Sequence, residues 1–306
     1  MNASSLRGVL SPVVTPFTNA LAVDSARLVR HCQWLLAQDA GLAVFGTNSE
    51  GNSLSVREKR ELIDVLVDAG LPAARMMPGT GTCALPDTAE LTRHAVARGC
   101  AGVLMLPPFY YKGVSEDGLF ASFAEVIERV ADANLRIYLY HIPQVSQVPI
   151  TLSLIERLLA RYPRTIAGIK DSSGDFANTR AMLERFQPQG FDVYCGSEAF
   201  LLATLRGGGA GCISATANVN PAAIARLARE WQSPEGEARQ AALDAVRAVF
   251  QQFPMIAALK EAVAQFGGGD AWRTVRPPLV PLAAAQRREL RAHLDALGFD
   301  MPGLAA

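Results

Sequence analysis

Eight short apolar runs, each followed by an amphipathic stretch, restrict what this chain can fold into more than anything else in it. The runs lie at 8–17, 41–46, 75–81, 101–108, 136–143, 165–171, 191–197 and 209–215. Each holds roughly four to eight apolar or β-prone residues between Gly, Pro or polar turn residues, the pattern of strands buried on both faces. Helical periodicity fills the gaps at 25–38, 55–68, 87–98, 116–131, 153–160, 175–187 and 199–206. In the second of these, Ser55 is placed to cap the helix with Glu58 at the capping-box position. Leu62, Val65 and Leu66 share a face, and Gly70 ends it. Eight strand–helix repeats within residues 1–225 fit an α/β fold, the (β/α)8 TIM barrel. A doubly wound open sheet is the alternative, but no G-x-G-x-x-G follows the first run. Residues 226–306 are rich in Ala, Arg and Leu and hold no further strand pattern, so a C-terminal helical extension packed on the barrel is expected.

Composition narrows the partners. Lys plus Arg and Asp plus Glu each number 29, so the chain is formally neutral. Neutrality leaves no electrostatic footprint for nucleic acid or an anionic membrane, and neither is expected as a partner. With 50% hydrophobic residues the chain is too apolar for disorder, and no run reaches the roughly 18 residues of a membrane helix. The start, MNASSLRGVLSPVV, lacks the charged-then-apolar pattern of a secretory leader. The five cysteines are odd in number and widely spaced, which fits reduced thiols and a cytoplasmic location. No C-x-x-C or H-E-x-x-H occurs, so no metal is expected.

Only Lys59, Lys112, Lys170 and Lys260 are lysines; elsewhere positive charge is arginine. A lysine away from solvent therefore calls for a chemical reason. Lys59 sits among charges in R-E-K-R-E and is expected to be solvated. Lys112 follows a tyrosine pair in a loop, where it meets either substrate or water.

In such a barrel the active site forms where the strands end. Lys170 ends the run 165–171 and is expected to point into the barrel mouth. Desolvation there would disfavour the ammonium form and leave an amine able to attack a carbonyl. The alternative is a salt bridge to Asp171. Tyr140 ends the neighbouring run, close enough to shuttle protons to that nitrogen because adjacent strands lie about 5 Å apart. It could also simply fill the barrel. Alternation turns His141 away from Tyr140, which favours a structural role for it. The loop G-T-N-S-E-G-N-S offers Thr47, Asn48 and Ser49 as donors beside Gly46, suited to a carboxylate, although an ordinary turn has the same composition. A 2-oxo acid needs one group for its carbonyl and another for its carboxylate.

Taken together these positions resemble the dihydrodipicolinate synthase/N-acetylneuraminate lyase family of class I, pyruvate-dependent aldolases. The resemblance spans nearly the whole chain. It includes G-V-L-S-P-V-V-T-P-F at the start, G-T-x-x-E at 46–50 and P-P-F-Y-Y at 107–111. Further on come Y-H-I-P at 140–143, G-I-K-D-S-S-G-D at 168–175 and V-R-P-P-L-x-P-L at 275–282. It implies a lyase, usually a homotetramer, that works on pyruvate or a pyruvate-yielding 2-oxo acid without metal or organic cofactor. Lys170 would form the Schiff base and Tyr140 would relay protons, with Thr47 and a tyrosine from across a subunit interface, matched here by Tyr111. Thr47 and Asn48 would hold the carboxylate, and the backbone around Ile213 would line the site. Ser172 and Glu198 fall at substrate-binding positions.

The departures bear on substrate. Dihydrodipicolinate synthases follow Y-N-V-P with an arginine that grips the aldehyde's carboxylate; here Gln144 and Val145 follow Pro143. Sialate lyases hold their sugar chain with acidic and hydroxyl residues after the last two strands; here Glu198 is acidic but is followed by Ala199, and Ala215 sits where a Ser is expected. Asn48 and Ser172 are more similar to the 4-hydroxy-2-oxoglutarate aldolase branch. The alternatives are 4-hydroxy-tetrahydrodipicolinate synthase, a sugar-acid dehydratase using the same enamine, and a non-catalytic 2-oxo acid sensor.

Overall fold

The structure, a computed structural model, describes residues 6–304. Its strands are β1 (Gly8–Ser11), β2 (Gly41–Leu42), β3 (Val103–Met105), β4 (Ile137–His141), β5 (Ile166–Asp171), β6 (Asp192–Cys195) and β7 (Gly211–Ile213). They form one parallel sheet in the order β2-β1-β7-β6-β5-β4-β3. The run at 75–81 does not form a regular strand, contrary to expectation. It joins the two sheet edges through isolated bridges, Leu42 to Met76 and Gly79 to Leu104. Pro78 has no N–H to give, yet its carbonyl accepts from Leu104 N at 2.9 Å, while Met77 N donates to Leu42 O at 2.8 Å. Eight parallel segments thus close the ring of a TIM barrel. Each precedes an α-helix, from Ser25–Ala37 to Pro221–Glu230.

Alternation along the strands sorts side chains into two cores. Leu10, Ala43, Met77, Leu104, Tyr138, Tyr140, Tyr194 and Ile213 fill the barrel interior. The other set, including Val9, Val103, Ile137, Ile169 and Val193, packs beneath the helices. Tyr138 and Tyr194 meet edge to face, with ring centroids 5.8 Å apart. That packing requires glycine at 168, where a Cβ would stand 2.7 Å from the Tyr138 ring. Burial pushes the Tyr194 hydroxyl well above its ordinary value of 10.0.

No strand follows β7 among the described residues. Helices Gly236–Phe250, Met255–Val263 and Ala284–Ala296 come after Pro221–Glu230. Gly236–Phe250 packs on the turn after β6, and Met255–Val263 on the turns after β2 and β7. Both therefore lie over the strand ends. Among the described residues no helix is long and apolar enough to cross a membrane.

Helix Val56–Asp68 has the expected capping box: Glu58 N donates to Ser55 Oγ at 3.2 Å, and Ser55 N to Glu58 Oε2 at 2.9 Å. Its buried stripe, however, is Lys59, Leu62, Ile63 and Leu66. Lys59 is not solvated. It occupies the first position of an i, i+3, i+4, i+7 face, and that spacing outweighs the charged residues beside it in sequence. Burial lowers its pKa from 10.5 to about 8, against the upward pull of Asp87. The unfolded chain keeps the proton up to 10.5, so between 8 and 10.5 the native state holds fewer protons and stability rises with pH. Lys59→Met keeps the apolar stem and is expected to stabilise the protein by about 1–3 kcal/mol at neutral pH. Denaturant midpoints at pH 7 and pH 10 check this. The gain should fade at the higher pH, and a loss of stability, or a gain indifferent to pH, would refute the account.

Candidate active site

Register places the chemistry. Tyr140 on β4 pairs with Lys170 on β5, and Lys170 pairs with Tyr194 on β6, so all three point into the barrel at one level. Lys170 is only 2% exposed. Its Nζ donates to Tyr140 Oη at 3.3 Å and stands 4.3 Å from the Tyr140 ring centroid. Tyr140 Oη in turn lies 3.1 Å from Thr47 Oγ1. An amine and two hydroxyls therefore form one hydrogen-bonded line along the barrel mouth.

Asp171 is not a partner of Lys170. The next residue along a strand faces the other way. Its carboxylate accepts from Ser173 N at 2.9 Å, Asn178 Nδ2 at 3.1 Å and Thr179 Oγ1 at 2.6 Å, tying the strand end to helix Phe176–Phe186. His141 follows the same rule. Its Nδ1 accepts the Ile150 N–H at 3.0 Å, so it braces the chain after β4. Burial lowers its pKa, with Asp171 pulling the other way.

Thr47 and Asn48 open a 3-10 turn, Thr47–Ser49, where a helix leaves its first N–H groups without intrahelical partners. The turn is held in an unusual shape. Phe45 and Glu50, on either side of it, have left-handed φ of 66° and 55°. Only glycine fits at 51, since a Cβ there would lie 2.0 Å from Phe45 O. Thr15, from the first run's T-P-F, donates to Ser49 O at 2.6 Å. Glu50 turns inward, and its carboxylate accepts from Lys260 Nζ at 2.7 Å and Arg276 N at 2.9 Å. Spacing alone did not single out this anchor: Glu50 appeared only as the end of a motif, and its partners lie far along the chain.

These groups line a cavity of about 400 Å³. Thr47, Asn48, Tyr140, Lys170 and Ser172 are in its wall, as are Gln144 and Val145. Three residues singled out in the sequence are placed elsewhere. Glu198 does not reach the cavity as a substrate ligand. It is buried, with its carboxylate taken up by the Ser214 and Thr216 hydroxyls and by Arg247 Nη1 at 2.8 Å. Ile213 points into the barrel core, and Ala215 lines the cavity instead. Tyr111 lies at the surface, 69% exposed and edge-on to Tyr110 at 5.4 Å, outside this chain's cavity. The cavity also has a wall that no sequence motif marks: Arg247, Gln251 and Met255, from the C-terminal helices and the turn between them. Among the described residues no group of three or more His, Cys, Asp or Glu is placed to hold a metal ion.

A sequence profile of the Dihydrodipicolinate synthetase family matches residues 5–297. The chain is 36% identical over 301 residues to an uncharacterized DapA-like lyase of Chloroflexus aurantiacus, covering 95% of this chain and 97% of that protein. It is 30% identical over 298 residues to a 4-hydroxy-tetrahydrodipicolinate synthase of Acidiphilium cryptum, covering 95% and 98%. YagE, a prophage protein of the dihydrodipicolinic acid synthase family from E. coli K12 solved in complex with pyruvate, superposes with a TM-score of 0.87. That match has 27% identity over 96% of this chain and 99% of the other.

Proposed function

Since the chain belongs to the dihydrodipicolinate synthetase family of class I aldolases and lyases, we propose that its substrate is pyruvate or a pyruvate-yielding 2-oxo acid, of the 4-hydroxy-2-oxoglutarate kind. The observation that carries this reading is the line Lys170 Nζ–Tyr140 Oη–Thr47 Oγ1 in the wall of the cavity at the barrel mouth. In this reading Lys170 Nζ attacks the C2 carbonyl, the carbonyl oxygen leaves as water, and a protonated imine remains. Loss of a proton from C3 gives the enamine, which adds to an aldehyde; the reverse sequence cleaves a 4-hydroxy-2-oxo acid. Tyr140 Oη carries protons to and from the departing oxygen, with Thr47 next in line. Thr47 and Asn48 take the carboxylate of the 2-oxo acid, and Ser172 and the backbone near Ile213 border the remainder. YagE's pyruvate complex supports the choice of substrate by analogy.

The same reading makes the protein a cytoplasmic homotetramer, with 226–306 as a helical extension of a barrel spanning 1–225. Tyr111 then serves the site of a neighbouring subunit. What supports this is the exposed cluster of Tyr110, Tyr111 and Val114, joined to the loop after β4 by Lys112 Nζ on Ser146 O at 2.7 Å. Apolar surface of that kind is what interfaces cover.

The test is reduction of the wild-type protein with borohydride in the presence of pyruvate, followed by peptide mass mapping. One carboxyethyl group on Lys170 is the expected result. No adduct, or an adduct on Lys59, Lys112 or Lys260, would overturn the proposal.

A further inference from the structure

A cation reaches the cavity from outside the barrel. Arg247 lies in the last turn of helix Gly236–Phe250, beside Gln251 at the mouth. Its Nη1 donates to Glu198 Oε2 at 2.8 Å and Ser214 Oγ at 3.1 Å. Glu198 is itself fixed, by the Ser214 and Thr216 hydroxyls and by Gln240 Nε2, which donates to Glu198 O at 2.9 Å. Gln240 is two turns before Arg247 on the same helix face. The guanidinium is therefore clamped along one side. A guanidinium has five N–H donors, and the two contacts above use one nitrogen. Arg247 Nε is buried without a hydrogen-bond partner.

The charged residues in the cavity wall are Lys170, Asp171 and Arg247. The Asp171 oxygens are spent on Ser173, Asn178 and Thr179. The Lys170 nitrogen and the Arg247 guanidinium thus border the same space, one at the strand end and one at the rim. Gln144 and Val145 stand where the resemblance places an arginine for the second substrate's carboxylate. Arg247 brings a guanidinium to the cavity from a different element. Glu198 offsets its formal charge but leaves donors in the planar fork that suits a carboxylate.

We propose that Arg247 is a specificity-determining residue that receives an anionic group at the far end of the substrate. The enzyme then prefers partners carrying a second carboxylate. This rests on the reading of Lys170 as the Schiff-base lysine. Glu198, which does not reach the cavity, is the positioning residue that holds the guanidinium.

The experiment compares two 4-hydroxy-2-oxo acids of equal length, one ending in carboxylate and one in hydroxymethyl. Pyruvate release gives kcat and KM for the wild-type protein, Arg247→Lys and Arg247→Gln. The wild type should favour the carboxylate end. Arg247→Gln should shrink that preference by about 10–100-fold, the scale of a hydrogen bond to a charged group, mainly through KM. Arg247→Lys should keep part of it. Equal activity of the wild type on both compounds overturns the inference even if a variant fails to fold. So does a parallel loss on both in Arg247→Gln, the mark of a purely structural role. Absence of any borohydride-trapped pyruvate adduct in the wild type overturns the Lys170 reading and this one together. An adduct without the end-group preference overturns this one alone.

Discussion

Lys170→Met is expected to lose the borohydride-trapped adduct completely and to lower turnover by roughly 10⁵–10⁶-fold, the scale on which loss of a covalent nucleophile is felt. The fold should survive. Methionine has similar reach, and the exchange takes a polar nitrogen out of a site only 2% exposed. Tyr140→Phe is the informative companion. The ring remains in the barrel layer with Tyr138 and Tyr194, but the hydroxyl bonded to both Lys170 Nζ and Thr47 Oγ1 is gone. A fall of about 10²–10⁴ in kcat is expected, typical of losing one proton-transfer group, with the adduct still forming slowly on Lys170. Mass spectrometry of the trapped proteins and steady-state pyruvate release check both. An adduct that persists in Lys170→Met would place the nucleophile elsewhere. A Tyr140→Phe enzyme as fast as wild type would remove Tyr140 from the proton path.

Lys170 and Tyr140 were legible because each ends an apolar run and strand alternation is local. Their pairing follows from neighbouring repeats of one barrel, so the strand order delivers it. Reading lysine scarcity as a pointer to a single buried amine fails, because Lys59 and Lys260 are buried as well. At Lys59, adjacent charges hid a helical stripe whose other members are Leu62, Ile63 and Leu66. At 75–81 the apolar pattern was real, but Pro78 removes a donor and only bridges form. The resemblance implies a substrate ligand at Glu198, an acidic residue just past a strand. Its hydroxyl partners lie 16 and 18 residues on and its arginine 49, on a helix with no motif to mark it. Contacts between the barrel loops and the C-terminal helices depend on how the two pack, and no local periodicity encodes that.

The most distant of those contacts predicts the largest loss of stability. Glu50 and Lys260, 210 residues apart, form an ion pair at 2.7 Å with both side chains at 0% exposure. Lys260 Nζ also lies 4.6 Å from the Phe17 ring centroid. Removing one member of such a pair strands the other without water, so Glu50→Ala is expected to cost about 3–5 kcal/mol, a large part of the total for most proteins. Glu50→Ala combined with Lys260→Met should regain much of that loss, because an apolar side chain needs no counter-charge. Burial already lowers Lys260 to about 8, with Glu50 pulling it upward. In Glu50→Ala that support is gone and Lys260 sheds its proton at a lower pH. Between that pH and 8 the native variant holds fewer protons than the native wild type. The stability gap therefore narrows as pH rises toward 8. Activity should fall as well as stability, because Glu50 also accepts from Arg276 N and closes the turn that carries Thr47. The double variant would then recover stability without recovering turnover. Denaturant midpoints at two pH values and kcat on the folded protein separate the two effects. If Glu50→Ala matches wild-type stability, or Lys260→Met restores nothing, the ion pair does not hold the Thr47 loop in place.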